Sequence, residues 1–207
     1  MNKNRGLLLV VSGPSGVGKG TIGKKLIASD KNVSFSVSVT TRAPREGETP
    51  GVDYDYISEK EFLDLVIEGR LLEYARVHGN YYGTPAEPVD RLLAEGKDVL
   101  LEIDPQGAET VISRRRDCVS VFVLPPSWTS LRSRLVNRGT ETAEQVETRL
   151  RNAREEVKKL DIYDYAIVNE DGPEGIEKAF ESLRSIVRSE KCRVSRHEGP
   201  IPEEQEQ

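Results

Sequence analysis

The stretch "SGPSGVGKGT", Ser12–Thr21, follows the apolar run "LLLVV" at 7–11 and leads into "IGKKLIA" at 22–28. An apolar strand, a glycine-rich turn and a helix that opens on lysine form the phosphate-binding loop arrangement GxxxxGK, met here by Gly13, Gly18 and Lys19. Glycines let successive backbone N–H groups converge on one point, and the helix start adds its positive end, so a phosphate is held by amides and dipole together. Lys19 adds a point charge for the terminal phosphates. The expected triphosphate site is therefore Gly13, Pro14, Ser15, Gly16, Val17, Gly18, Lys19, Gly20 and Thr21. The hydroxyl that ordinarily follows the lysine is missing, because Gly20 holds that slot and Thr21 comes one residue later. The plain alternative is a glycine turn joining strand to helix, and the strand before and helix after count against it.

Working outward, short apolar runs recur at Leu7–Ser12, Val99–Ile103, Val119–Leu124 and Tyr165–Asn169, separated by helical stretches. That rhythm predicts an α/β fold with a central parallel sheet and crossover helices, a three-layer core. Ser58 with Glu61, and Thr142 with Gln145, read as capping boxes. The second opens a long helix with Val146, Leu150, Ala153, Val157 and Leu160 on one face. Pro173 marks the start of a last helix striped by Ile176, Phe180, Leu183 and Val187. Two polar segments interrupt the rhythm. We therefore expect a core from 1–37, 88–126 and 161–190, an acceptor-binding insert over 38–87 and a mobile helical lid over 127–160. The tail from 193 to 207 has little to bury and is expected to be disordered.

Composition excludes several classes. A net charge of −5 argues against bulk binding to nucleic acid or anionic membranes. No apolar run approaches the roughly 18 residues of a membrane span, and the N-terminal run leads into a glycine loop rather than a cleavage site. The two cysteines, Cys118 and Cys192, form no CxxC and read as free thiols of a reducing cytosol, so a cytoplasmic protein is expected. His78 and His197 are too few and too isolated for a metal site. "RRR" at 114–116 reads as a helix C-terminus, where cations suit the dipole. Trp128 reads as packing at a helix start. "DPQG" at 104–107 imitates a GTPase DxxG, but no NKxD follows, and no LSGGQ supports a transporter ATPase.

In "SVSVTTRAPREGETPGVDYDY", 36–56, Arg42 and Arg45 flank Pro44, and two guanidinium forks can grip one phosphate. Tyr54 and Tyr82 could each donate a phenol hydroxyl to it. With "LLEYARVHGNYYGTP", "LEIDPQG", "NRGTET" and "AIVNED", in this order from residue 6 to about 190, the chain resembles the guanylate kinase family. The resemblance spans a guanylate kinase-like domain over 6–187. It implies transfer of the γ-phosphoryl of ATP, with Mg2+, to GMP or dGMP. It also implies roles: Arg42, Arg45, Tyr54 and Tyr82 on the GMP phosphate; Ser38, Glu73 and Thr84 on the base; Glu102 and Asp104 near GMP and the magnesium-associated water; Asn169 near adenine. Arg134, Arg138 and Arg149 lie in the lid segment, with Arg138 and Arg149 reaching over the phosphates beside Lys19 and Arg45. Chemistry agrees with these roles. Guanine presents two adjacent donors that an ionised Glu73 accepts, and hydroxyls from Ser38 and Thr84 can donate to O6. Adenine reverses the pattern. Glu102 and Asp104 alternate along the strand and share a face. The family commonly has aspartate where this chain has Glu102. No direct metal ligand is assigned; Thr21, Glu102 and Asp104 could act through water.

Two rivals remain in view. Another nucleoside monophosphate kinase is suggested by "GKGT", against Glu73 and the paired arginines. A non-catalytic phosphopeptide-binding module of the same fold would be expected to have lost Lys19 and the lid arginines. The sequence leaves monomer and homo-oligomer open.

Overall fold

The computed structural model describes residues 5–77, 79–137 and 142–196. A five-stranded parallel sheet forms the middle layer. Its order is β2 (Val33–Phe35), β7 (Asp98–Glu102), β1 (Leu8–Ser12), β8 (Val119–Leu124), β9 (Tyr165–Val168). Alternation along the strands explains why both faces are apolar. Leu9, Val11, Leu100, Val121 and Val123 pack on one side with Ile22 and Leu26 of α1 (Lys19–Ser29) and Phe180, Leu183 and Val187 of α7 (Gly172–Lys191). Leu8, Val10, Val99 and Leu101 pack on the other with Val89 and Leu93 of α3 (Ala86–Ala94) and Ala108 and Val111 of α4 (Pro105–Arg114). These are the three layers expected. The four strands anticipated are present, within a residue at their ends. The short β2 is an addition that the sequence pattern did not suggest.

The insert is a second sheet, ordered β4 (Tyr54–Tyr56), β3 (Ser38–Thr40), β6 (Asn80–Pro85), β5 (Leu71–Val77). Helix α2 (Glu59–Ile67) seals it with Phe62, fully buried against Val39 and Leu71. Ser58 and Glu61 form the capping box anticipated at its start. The lid segment is two helices, α5 (Trp128–Val136) and α6 (Ala143–Val157), joined through Leu131, Leu135, Val146, Leu150 and Ala153. Thr142 and Gln145 cap α6 reciprocally. Leu160, expected on the same helical face, instead begins a short 3-10 turn. Trp128 does open α5, but its ring stays 39% exposed with the Arg154 guanidinium 5.6 Å above it. Residues 193–196, counted with the tail, form a turn in which Arg193 and Arg196 pair with the buried Glu190. Residues 197–207, with His197, lie outside the described residues, as do His78 and 138–141.

Candidate active site

The glycine loop crosses the C-terminal ends of β1 and β8 and enters α1. Gly13, Gly16 and Gly18 have φ of 137°, 89° and 101°, values that a side chain would strain. Two of them are also held by close approach. A Cβ on Gly13 would lie 2.4 Å from the Val123 carbonyl oxygen, and one on Gly18 2.4 Å from Asn169 Nδ2. Lys19 folds back into the loop, donating to the carbonyls of Gly13 (2.5 Å) and Pro14 (3.2 Å). The ammonium thus sits where a phosphate's charge would draw it. Ser15 at the loop tip is exposed, and so is Thr21 on the first turn of α1.

The far wall of the loop is built from the lid and β9. Asn169, 2% exposed, donates Nδ2–H to the Val17 carbonyl at 2.7 Å, and its Oδ1 has no hydrogen-bond partner. Arg134 donates to the carbonyls of Val17, Asn169 and Glu170 and to Asp171 Oδ1. Its guanidinium therefore ties α5 to the loop from behind. Arg149 of α6 donates to Ser15 Oγ at 2.7 Å, so a lid arginine touches the tip of the glycine loop. Arg138 lies outside the described residues.

Beyond the loop stand the two carboxylates at the end of β7. Asp104 caps α4, accepting from the N–H groups of Gln106 and Gly107 through Oδ1. Glu102, partly buried, turns its carboxylate toward Gly20. Burial raises its pKa, and the positive charges of Lys19 and Lys24 work against that rise. Among the described residues no group of three or more acidic, histidine or cysteine side chains is gathered as a metal site. The donor that fits a divalent cation accompanying a nucleotide is the Glu102 carboxylate, a hard oxygen beside the loop lysine.

On the insert, Glu73 of β5 faces Thr84 of β6 in register. Glu73 is only 4% exposed and accepts from Thr84 Oγ1 at 2.6 Å. That hydroxyl proton is therefore engaged by Glu73. Burial pushes the Glu73 carboxyl up to about 7, with the Thr84 hydrogen bond opposing and the Asp104 charge adding to the rise. The seat for this carboxylate is made by Gly107, where a Cβ would stand 2.4 Å from Glu73 Oε2. Gly107 belongs to "DPQG", yet its purpose is legible only when α4 and β5 are side by side.

A cluster of charged and aromatic side chains lies at the other end of the insert. The Arg42 guanidinium is packed by the rings of Tyr54 and Tyr56, 5.4 and 5.9 Å from its centre, and Tyr82 meets Tyr54 edge-on at 6.0 Å. Glu48 completes it: Arg42 donates to both its oxygens at 2.9 and 2.8 Å, Tyr56 donates at 2.7 Å and the Arg45 N–H at 2.8 Å. Arg42 holds the Glu48 carboxyl down to about 2, and Glu48 in turn raises Arg42. One edge of Arg42, its Nε, is buried without a partner. Glu48 and Tyr56 were missed by sequence reasoning; "REGE" carried no signal beyond loop polarity. Ser38 begins β3 opposite Tyr54, and the negative charge of Glu102 reaches Tyr54 from the end of β7. Burial is the larger cause of the upward shift of the Tyr54 phenol.

Known proteins place this geometry. A family model described as guanylate kinase matches residues 5–190. A guanylate kinase of Clostridium perfringens is 46% identical over 200 residues, 95% of this chain and 91% of the relative. One of Bacillus cereus is 48% identical over 197 residues, 95% and 94%. The crystal structure of guanylate kinase from Anaplasma phagocytophilum superposes with a TM-score of 0.77 at 38% identity, covering 95% of this chain and 92% of that one. With a family match over residues 5–190 and relatives of this identity over most of both chains, the chain belongs to the guanylate kinase family.

Proposed function

We propose that the protein transfers the γ-phosphoryl of ATP to GMP, and to dGMP, giving ADP and GDP in purine nucleotide metabolism of the cytoplasm. Family membership supports the kinase activity, and no helix among the described residues is long and apolar enough to cross a membrane. The observation that carries the choice of acceptor is the Glu73–Thr84 pair, a buried carboxylate set beside a hydroxyl. An ionised Glu73 accepts from N1–H and the exocyclic amine of guanine together. Thr84 has spent its proton on Glu73, so Ser38 is the hydroxyl that donates to O6. Adenine offers neither donor and would leave Glu73 unpaired, a mismatch that discriminates by ~10⁴-fold or more.

The rest is positioning and charge, which is most of what phosphoryl transfer needs. Loop amides over 13–21 and Lys19 hold the donor phosphates, Lys19 exchanging its carbonyl partners for them. Arg42 through its free Nε, Arg45, Tyr54 and Tyr82 hold the acceptor phosphate. Arg149, with Arg138, closes over the moving phosphoryl and excludes water. The acceptor is already an anion and needs no general base. Asn169 Oδ1 can accept from the adenine amine, with Arg134 bracing its loop. Glu102, with Asp104 and Thr21 through water, would hold Mg2+, which supplies charge neutralisation on the phosphates. The test is ADP formation from magnesium ATP with GMP, dGMP, AMP, UMP and dTMP offered separately. Turnover confined to GMP and dGMP is expected. Turnover with AMP would refute the base reading, and none with any acceptor would point to a binding module.

A further inference from the structure

Two oddities of the donor site lie against each other. The loop lacks the hydroxyl that ordinarily follows its lysine, and the strand beside it ends in a glutamate whose carboxylate faces the vacated position. We infer that these are one device: the Glu102 carboxylate, seated in the room that Gly20 leaves, replaces that hydroxyl as the protein's oxygen donor to the divalent cation bound with ATP. The inference rests on the kinase reading above.

Three observations carry it. A Cβ on Gly20 would stand 3.3 Å from both Glu102 Oε1 and Oε2, so the carboxylate confronts this one backbone position with both oxygens. Gly20 lies inside α1, and its φ is not positive, unlike those of Gly13, Gly16 and Gly18. Backbone shape therefore does not call for glycine here, and what an added Cβ would press on is the Glu102 carboxylate alone. The register fixes the approach, with Val11, just before the loop, paired to Glu102.

A further observation is chemical. Among the described residues, no donor is found bonded to the Glu102 carboxylate, and no lysine or arginine reaches it as an ion pair, although the fields of Lys19 and Lys24 bear on it. A partly buried carboxylate in that condition is suited to a cation that arrives with its ligand. Magnesium takes hard oxygens and is commonly bound by one or two carboxylates plus substrate phosphates. Side-chain lengths make the two positions interdependent. Aspartate at 102 would withdraw the oxygens by about one carbon–carbon bond, ~1.5 Å. Serine at 20 would bring its Cβ to 3.3 Å from both Glu102 oxygens and add a hydroxyl beside them. Glycine fits glutamate, and serine would fit aspartate.

The test is a double-mutant cycle on the full chain, read by Mn2+ binding to the protein–ATP complex in electron paramagnetic resonance, with Mn2+ as the probe. Glu102→Asp is expected to weaken Mn2+ about tenfold or more, the scale on which metal-site changes act. Adding Gly20→Ser to that variant is expected to restore Mn2+ to within about threefold of wild type, while Gly20→Ser in the wild-type background brings no gain, a strong coupling between neighbours. ATP binding in EDTA should be unchanged by Glu102→Asp. Glu102→Gln, of equal size and without charge, should lose Mn2+ while melting no lower than wild type. Unchanged Mn2+ affinity in Glu102→Asp or Glu102→Gln would overturn the inference. So would Gly20→Ser acting by the same factor in both backgrounds. Failure of the kinase reading would show separately, as wild-type protein that makes no ADP from ATP and GMP.

Discussion

Glu73 carries opposing demands. It must be ionised to accept two guanine donors, yet its burial raises its pKa to about 7. Because its folded pKa lies above its unfolded value, the stability linked to its proton is complete below pH ~4.5 and is lost as pH rises through about 7. Unliganded protein should therefore weaken across that window. Glu73→Gln should flatten the loss and raise stability at pH 8 by up to about 3 kcal/mol, measured by denaturant titration at both ends of the window. The same variant should remove from the pH profile of kcat/KM for GMP a limb with apparent pKa near 7. A profile unchanged by the substitution would separate Glu73 from acceptor binding. Lys19→Ala should lower kcat by about 10²-fold or more with the melting temperature held, since an electrostatic donor to the phosphates is lost and little packing goes with it. Near-normal turnover would refute the phosphate-loop role. At this scale the sequence singled out Lys19, Arg42 and Glu73 through recognisable motifs. It was silent where a residue acts on another residue far along the chain. Glu48 organising Arg42 and Gly107 seating Glu73 depend on contacts that only the folded chain creates.

At the scale of elements, the α5–α6 pair reaches the glycine loop through two arginines, Arg149 to Ser15 and Arg134 to the Val17 carbonyl. Arg149→Ala should slow turnover more than it weakens GMP binding, by about 10²-fold in kcat. An effect on GMP affinity alone would contradict its place over the phosphates. Arg134 behaves differently, because its donors go to backbone carbonyls and Asp171. Arg134→Ala should lower the melting temperature as well as activity. The core strands and both capping boxes were legible because continuous apolar runs and S/T-x-x-E/Q patterns are local signals. The insert's sheet was not. Its strands β3 and β4 are three residues each, rich in tyrosine, serine and threonine, and gain definition only from pairing with each other and with β6. α2 fully buries only Phe62, with Leu65 and Val66 partly buried and Leu63 and Ile67 left exposed.

Across the whole molecule, the parallel sheet supplies a rigid edge on which the loop after β1 and the carboxylates after β7 are presented together. That is where ligands bind in open α/β sheets. The insert and the α5–α6 pair each have a small core of their own, and the insert is also tied to the main core through Leu72 of β5, which packs with Leu101, Val89 and Val111. Cutting into that main core should act on stability alone: Leu9→Ala, 1% exposed beneath the loop, should cost about 2–5 kcal/mol in chemical denaturation while leaving KM for GMP near wild type. The central claim is that acceptor choice rests on an ionised Glu73 meeting the two donors of guanine. The most direct measurement is kcat/KM for GMP and for IMP, which lacks the exocyclic amine, in wild type and in Glu73→Gln at pH 8. We predict a wild-type preference for GMP of about 10²-fold or more that largely collapses in the variant, with KM for ATP unchanged. A variant that keeps the preference would contradict the account.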